Sequence, residues 1–552
     1  MTPQQSDFSG GMNLRDAPDL LAENEYVWSV NVRTREKQLV SIKAPVEDTG
    51  LPDGAKQGLY AFGNYLLLFS GGRAFWKLIT AATPVWTPIA DFQMSTTAST
   101  FYVALVTGSS ANFRRYRLDT STNVGYVTDS GTGLATSNGT PAGLLVQDGV
   151  NQPWIIFADL TARVTQTYAQ WTLGSAQEYV PIGTQMIVVG VKLFILALDG
   201  ATIYQSISGR MLDFVVNVKT DGSKGGDAST TSTGFTGETV RALKATSLST
   251  FAVATSRTSI LVELDFDNKR WGEPTFKASP LAEIGAINER SVIEILGDYM
   301  LIDESGIHSV NAVVNLKFRG ENAPFSSKVS KLFTNRLQST LDVSAATFDN
   351  YAIFSVNTTM GYGLLIYDTI LNQWVSLDQH DCVRVTHFAV TNAAGTITFW
   401  ALTYTGKVFQ LEAASAAYSQ AIMMTRTFSD SSLKIDQQPK TLVLQIEDSA
   451  AGLLRVTPYC DKRVYPAKSR AIPDSTPGIL WPMLFPISFS STDRIFKVGI
   501  PLINLPYSRQ FQAAISWTGG GTLAGLLNDD QVDSSVVDQK QSASYASTTN
   551  NP

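Results

Sequence analysis

Cysteine is nearly absent from this chain. Cys382 and Cys460 are the two among 552 residues, too few for a disulfide framework at this length. Each reads as a buried thiol, in keeping with synthesis in a reducing compartment. Histidine is as scarce, with only His308, His380 and His387. A Ser-His-Asp triad would have to use one of these three, and no Gly-x-Ser-x-Gly elbow accompanies them. His380-Asp381-Cys382 with His387 nearby looks like a metal or nucleophile cluster. Alternating strand geometry does not bring those side chains together, however, and neither Cys-x-x-Cys nor His-Glu-x-x-His is present. Long apolar runs are lacking too. The longest, residues 186–198, is broken by Gly190 and Lys192. It is shorter than the roughly 20 residues that span a bilayer, and it reads as two short buried strands. The opening residues are polar, without a basic n-region, so no secretory signal is expected.

An excess of positive charge is missing as well. Lys and Arg number 42 against 48 Asp and Glu, for a net charge of −6. That balance argues against a protein that grips nucleic acid through a clustered basic surface. With 16% charged and 44% hydrophobic residues, the chain has ample material for a packed core and is not of disordered composition. Asp265-Phe266-Asp267-Asn268 starts like a calcium loop but lacks the glycine at the bend and the distal glutamate, and reads as a charged hairpin turn. Lys224 lies in a Gly-rich stretch, Asp221 to Gly226, without the order of a phosphate loop. Forty-eight acids offer too many pairings to single out a glycosidase pair. No catalytic, cofactor-binding or metal residue is assigned.

What is abundant is short β-runs separated by turn residues. Tyr65 to Ser70 runs into Gly71-Gly72 before Ala74 to Leu78 resumes. Lys192 to Leu198 meets Asp199-Gly200, a strong hairpin signal, and then Ala201 to Ser206. Tyr351 to Val356 and Gly363 to Tyr367 form another pair, closing at Asn372-Gln373-Trp374. Trp76, Trp271 and Trp374, beside strand ends, read as packing residues rather than sugar platforms. Helical patterns are scarce: one over 23–32 with Asn24 as cap, and one over 326–337 carrying Val329, Leu332, Phe333 and Leu337. Loosely similar hairpin units predict an all-β fold, a β-propeller of about six to eight blades. Past residue 411 the strands lengthen, as expected of a separate β-sandwich. The expected divisions are 1–45, an N-terminal arm with a short helix; 46–410, the propeller; 411–527, the C-terminal β-sandwich; and 528–552, an extended polar tail. The tail carries Asp529, Asp530, Asp533 and Asp538 against Lys540 alone. It cannot bury a core of its own, and is expected to be held by a partner chain.

Several stretches resemble, in shared order, the tail nozzle family of short-tailed bacteriophages (also called tail tubular protein B, tail hub or head-stabilisation protein). They begin with Phe8-Ser9-Gly10-Gly11-Met12-Asn13, Pro18 with Leu20-Leu21, and Asn31-Val32. Ile203 to Ser206 with Asp213-Phe214 follows, then Gly285 to Ser291, Gly297 to Ile307 and Ala323 to Val329. Leu365-Ile366-Tyr367-Asp368 with Gln373-Trp374, and Thr425-Arg426-Thr427, complete the series. The chain departs from the family where a Gly and an Arg-x-Gly usually follow the N-terminal segment; Lys37 to Lys43 stands there instead.

The resemblance implies a virion tail protein made in the bacterial host cytoplasm. It implies a homohexameric ring below the portal-adaptor ring that extends the DNA-ejection channel and carries tailspikes or fibres. Double-stranded DNA would pass through the lumen without specific binding. Six copies of −6 give −36 for such a ring, so an acidic lumen that weakly repels the duplex is expected. The resemblance implies no enzyme and no cofactor. The alternative is a propeller glycosidase or depolymerase, or a polysaccharide-binding tail protein.

Overall fold

The computed structural model describes residues 4–528, except 90–91, 108–141, 152–153, 158–179, most of 207–236, 264–274, 277–282, 296–297, 311–324, 334–342, 394, 429–440, 448–451, 473–494 and 503, 507 and 509. Within these residues no helix is long and apolar enough to cross a membrane.

Among the described residues seven small antiparallel sheets follow one another along the chain, each an up-and-down meander of three or four strands. The first blade holds Lys56–Phe62, Tyr65–Ser70, Arg73–Leu78 and Thr87–Pro88; the second Tyr102–Thr107, Ala142–Gln147 and Trp154–Phe157. Blade three opens with Gly183–Val189, blade four with Ala242–Ala245, blade five with Val292–Ile295 and blade six with Ser344–Phe348. Blade seven is Val385–Ala393, Thr396–Thr403 and Val408–Leu411, completed by Val46–Glu47 from the N-terminal side. Pairing of Phe409 with Glu47 and Gln410 with Val46 closes the circle. The fold is therefore a seven-bladed β-propeller whose last blade is shared between the two ends of its sequence.

Closure is held by charge as well as backbone. Asp48, just past the closing strand, takes Lys77 Nζ at 2.6 Å and Trp86 Nε1 at 3.1 Å, tying blade seven to blade one. Between blades, buried amides repeat one device. Gln147 receives Gly183 N–H and donates to Pro181 O, and Gln185 receives Leu243 N–H and donates to Arg241 O. Each satisfies a donor and an acceptor on the next blade, backbone groups that burial would otherwise leave unpaired.

Two six-stranded sheets form the appended sandwich. One is built on Thr441–Glu447, Ile495–Pro501 and Thr522–Asn528, the other on Gly452–Cys460, Phe511–Trp517 and Ala421–Met424. Phe511–Trp517 buries alternate residues, the pattern of a strand with one face on a core. The sandwich is not made from the C-terminal part alone. Val32–Arg35 and Gln38–Ser41 extend the first sheet, and Trp28–Val30 pairs with Ala421–Met424 at the edge of the second.

The helix expected over 23–32 is thus replaced by strands Glu25–Tyr26 and Trp28–Val30. Tyr26, Ser29, Val30 and Val32 are all buried, and burial on both faces with β-branched side chains suits a strand between layers. Asn31, at φ 58, turns the chain from one sheet to the other. In the second expected helix, Phe325–Leu332 is a pair of short 3₁₀ turns joined across a kink, burying Val329 and Leu332, with Phe333 buried just after. The rest of that span, and the tail from 529, lie outside the described residues.

Candidate functional site

The first strand of every blade faces the propeller axis, and together they line a cavity of about 630 Å³. Its wall is mixed: Tyr60 and Tyr102, the cations Lys244 and Arg290, and the carboxylates Glu289 and Glu294. Arg290 and Glu289 sit on the short 3₁₀ turn Glu289–Ser291, which Asn288 and Ser291 hold in a reciprocal capping box. That turn carries charge to the cavity wall from the link between blades four and five.

His387, on the first strand of blade seven, is buried against this wall. Its Nε2 lies 3.0 Å from Arg290 Nη1 and 3.0 Å from the Thr100 hydroxyl. A guanidinium only donates, so Nε2 accepts and the ring proton sits on Nδ1, 3.1 Å from the Thr386 hydroxyl. Burial first, and then the neighbouring Arg290 charge, hold the imidazole well below its usual pKa. Burial likewise lowers Lys244, with Glu294 opposing, and raises Tyr60 and Tyr102. The cavity falls in the roughly 300–1,000 Å³ range of small-molecule sites. It is far too small for a nucleic-acid duplex, whose major groove alone is about 12 Å wide.

A second charged centre joins propeller to sandwich. Arg33, 6% exposed, reaches Asp378 at 2.7 Å and Glu412 at 2.8 Å. Asp378 ends blade six, is fully buried, and also receives Asn31 N–H at 3.1 Å and the Ser376 hydroxyl at 2.6 Å. Tyr26 and Ser29 hydroxyls both donate to Val375 O on the same outer strand. Nearby, Glu25 takes Lys328 at 2.7 Å, and the N–H groups of Leu14 and Arg15 donate to Lys328 O.

The three histidines are in different places. His387 lines the cavity; His308 contacts Asp303 at 3.2 Å and Ser305 at 2.9 Å in a turn of blade five. His380 lies near the joint, its Nδ1 accepting from Cys382 N–H at 3.1 Å. Both cysteines are buried and unbridged. No group of three His, Cys, Asp or Glu that could hold a metal occurs among the described residues. Trp374 packs on Phe325 and Tyr367, and Trp76 stands edge-on to Tyr65. The Asp265–Asn268 and Lys224 stretches and Trp271 lie outside the described residues. Sequence reading missed Arg33, Asp378 and Arg290. The sequence around Arg33, Asn31-Val32-Arg33-Thr34-Arg35, carries no signal that sets it apart from a surface arginine.

No protein-family model matches the chain, and no curated protein matches it. Among solved structures it is similar to the N-terminal domain of Nup159, at 10% identity over 69% of this chain and 97% of that one, with a TM-score of 0.33. It is also similar to virginiamycin B lyase from Staphylococcus aureus, at 11% identity over 67% and 98%, with a TM-score of 0.35. The propeller assignment stands on the seven sheets and their closure.

Proposed function

We propose that this chain is a structural ring component of a bacteriophage tail, a nozzle or hub subunit. In this reading it sits below the portal-adaptor ring, extends the DNA-ejection channel and carries tailspikes or fibres. One observation carries the reading: segments far apart in sequence, each part of the nozzle resemblance, meet at the propeller–sandwich joint. Gly11, at φ 75, lies so close to the backbone of Trp374 that a Cβ there would stand 2.5 Å from its carbonyl oxygen. Phe325 packs on Tyr367 and Trp374. Phe8, Met12 and Asn13 are buried. Motifs that pack on one another specify a particular architecture more narrowly than the same motifs scattered over a surface.

The geometry also bears on where DNA would travel. A duplex does not fit the propeller axis, so a conduit built from this chain runs between subunits of a ring, as heterologous contacts that close allow. Electron microscopy of the purified, assembled protein tests the proposal. A closed ring, six-fold in the expected case, supports it; a protein found only as a monomer, or in dihedral symmetry, overturns it.

The axial cavity favours one second reading, a polysaccharide-binding or depolymerase role. Tyr60 and Tyr102 offer rings, and Glu289 and Glu294 offer carboxylates. Cleavage of a surface polysaccharide that Glu289→Gln abolishes would support this reading over the structural one.

A further inference from the structure

The sandwich has one edge whose charge runs against the rest of the chain. Residues 452–472 hold Arg455, Lys462, Arg463, Lys468 and Arg470 against Asp461 alone, in a chain of net charge −6. All five cations are exposed. Arg455, Lys462, Arg463 and Lys468 form no ion pair among the described residues. Asp461 is turned to the backbone N–H of Gln510. Strand Lys468–Ile472 pairs on one side with Gly452–Cys460 and has no other strand partner among the described residues. Leu453 and Val464 are exposed beside it. Lysines on an edge strand are one ordinary protection against stray pairing, but here the cations extend over the neighbouring strand and the turn as well.

We propose that this basic edge is the docking site of the chain's own acidic C-terminal tail. The tail runs for 24 residues past Asn528, with Asp529, Asp530, Asp533 and Asp538 against Lys540. Val532, Val536 and Val537 among them are strand formers. Charge and reach both fit. Arg470 donates to Gly499 O in the facing sheet. Gly499 pairs with Val443, and Val443 with Leu527, two residues before the tail starts. Two strand spacings, about 10 Å, separate the tail's origin from Gly499, and one sheet-to-sheet spacing of about 10 Å, spanned by the Arg470 side chain, separates Gly499 from the basic edge. Twenty-four extended residues reach several times that distance. Proximity favours docking within one chain over the partner-held tail that composition alone suggested. The docked tail adds a strand beside Lys468–Ile472 and neutralises the cations of that edge, keeping it from pairing with other chains. This inference does not depend on the phage reading.

Zero-length carbodiimide coupling of carboxylates to amines in the full-length chain tests it, on a mixture of ¹⁴N- and ¹⁵N-labelled protein. Links from Asp529, Asp530, Asp533 or Asp538 to Lys462 or Lys468 within single-isotope chains are the expected result. Their yield should fall about tenfold in about 0.5 M NaCl. It should fall equally in the Arg455→Glu/Arg463→Glu variant, which keeps both reactive lysines but reverses the charge beside them. Mixed-isotope links overturn the proposal in favour of docking on a second copy. An absence of tail-to-edge links overturns it too, leaving the cations as edge protection alone. So does binding of a short DNA duplex by the full-length chain that the same double variant abolishes, since an edge free to hold DNA is not covered by the tail.

Discussion

Arg33→Met at the propeller–sandwich joint cuts the most buried ionic contact among the described residues while keeping the side chain's apolar length. Asp378 is then left fully buried with its Oδ2 deprived of the guanidinium 2.7 Å away. Losing one partner of a buried pair costs about 3–5 kcal/mol. The lower end applies here, because Oδ1 keeps Asn31 N–H and the Ser376 hydroxyl and Glu412, a quarter exposed, regains water. About 3 kcal/mol of local stability should be lost. A chain of several domains need not unfold in two states, so amide hydrogen exchange over 28–35 and Gln373–Asp378 is the appropriate readout. Three kcal/mol corresponds to exchange faster by roughly a hundredfold there, with blades one to three unaffected. Removing the stranded charge as well, in Arg33→Met/Asp378→Asn, should restore most of the protection. Equal exchange in the single and double variants, or acceleration of less than about fivefold, would refute the reasoning.

Three further outcomes are expected. Asp48→Ala strands Lys77 at the ring closure and should lower stability by about 3 kcal/mol, the lower end of the same range, with proteolysis appearing first between residues 47 and 56. Gly11→Ala places a Cβ 2.5 Å from the Trp374 carbonyl oxygen at a positive φ and should cost at least about 2 kcal/mol by thermal unfolding. His387 and His380 both have folded pKa values depressed below 6.5 by burial. As pH falls through about 6.5 the unfolded chain takes up protons first, so stability is fully present above that pH and lost below it. His387→Gln, which keeps an acceptor for Arg290, should flatten the fall in Tm between about pH 7 and 5.

Hairpins such as Tyr65–Ser70 with Arg73–Leu78 were legible from short apolar runs broken by Gly71-Gly72, because a strand's span and a tight turn are decided by neighbouring residues. So was the all-β class. The arm was misread over 23–32, where Tyr26 and Val30, four residues apart, suit a helix until the layers on both sides are known. Blade number was also beyond the sequence, since divergent blades share no residue-level repeat, and their count is settled by how many sheets complete the circle. The same holds for the charged sites. Arg33 and Asp378 stand 345 positions apart, and Thr100, Arg290 and His387 come from three parts of the ring. Local residue patterns determined which segments are strands. Which strands share a sheet, which ends close the propeller and which charges meet depended on long-range packing, because a buried ion's partner is whatever side chain the closed ring brings within reach.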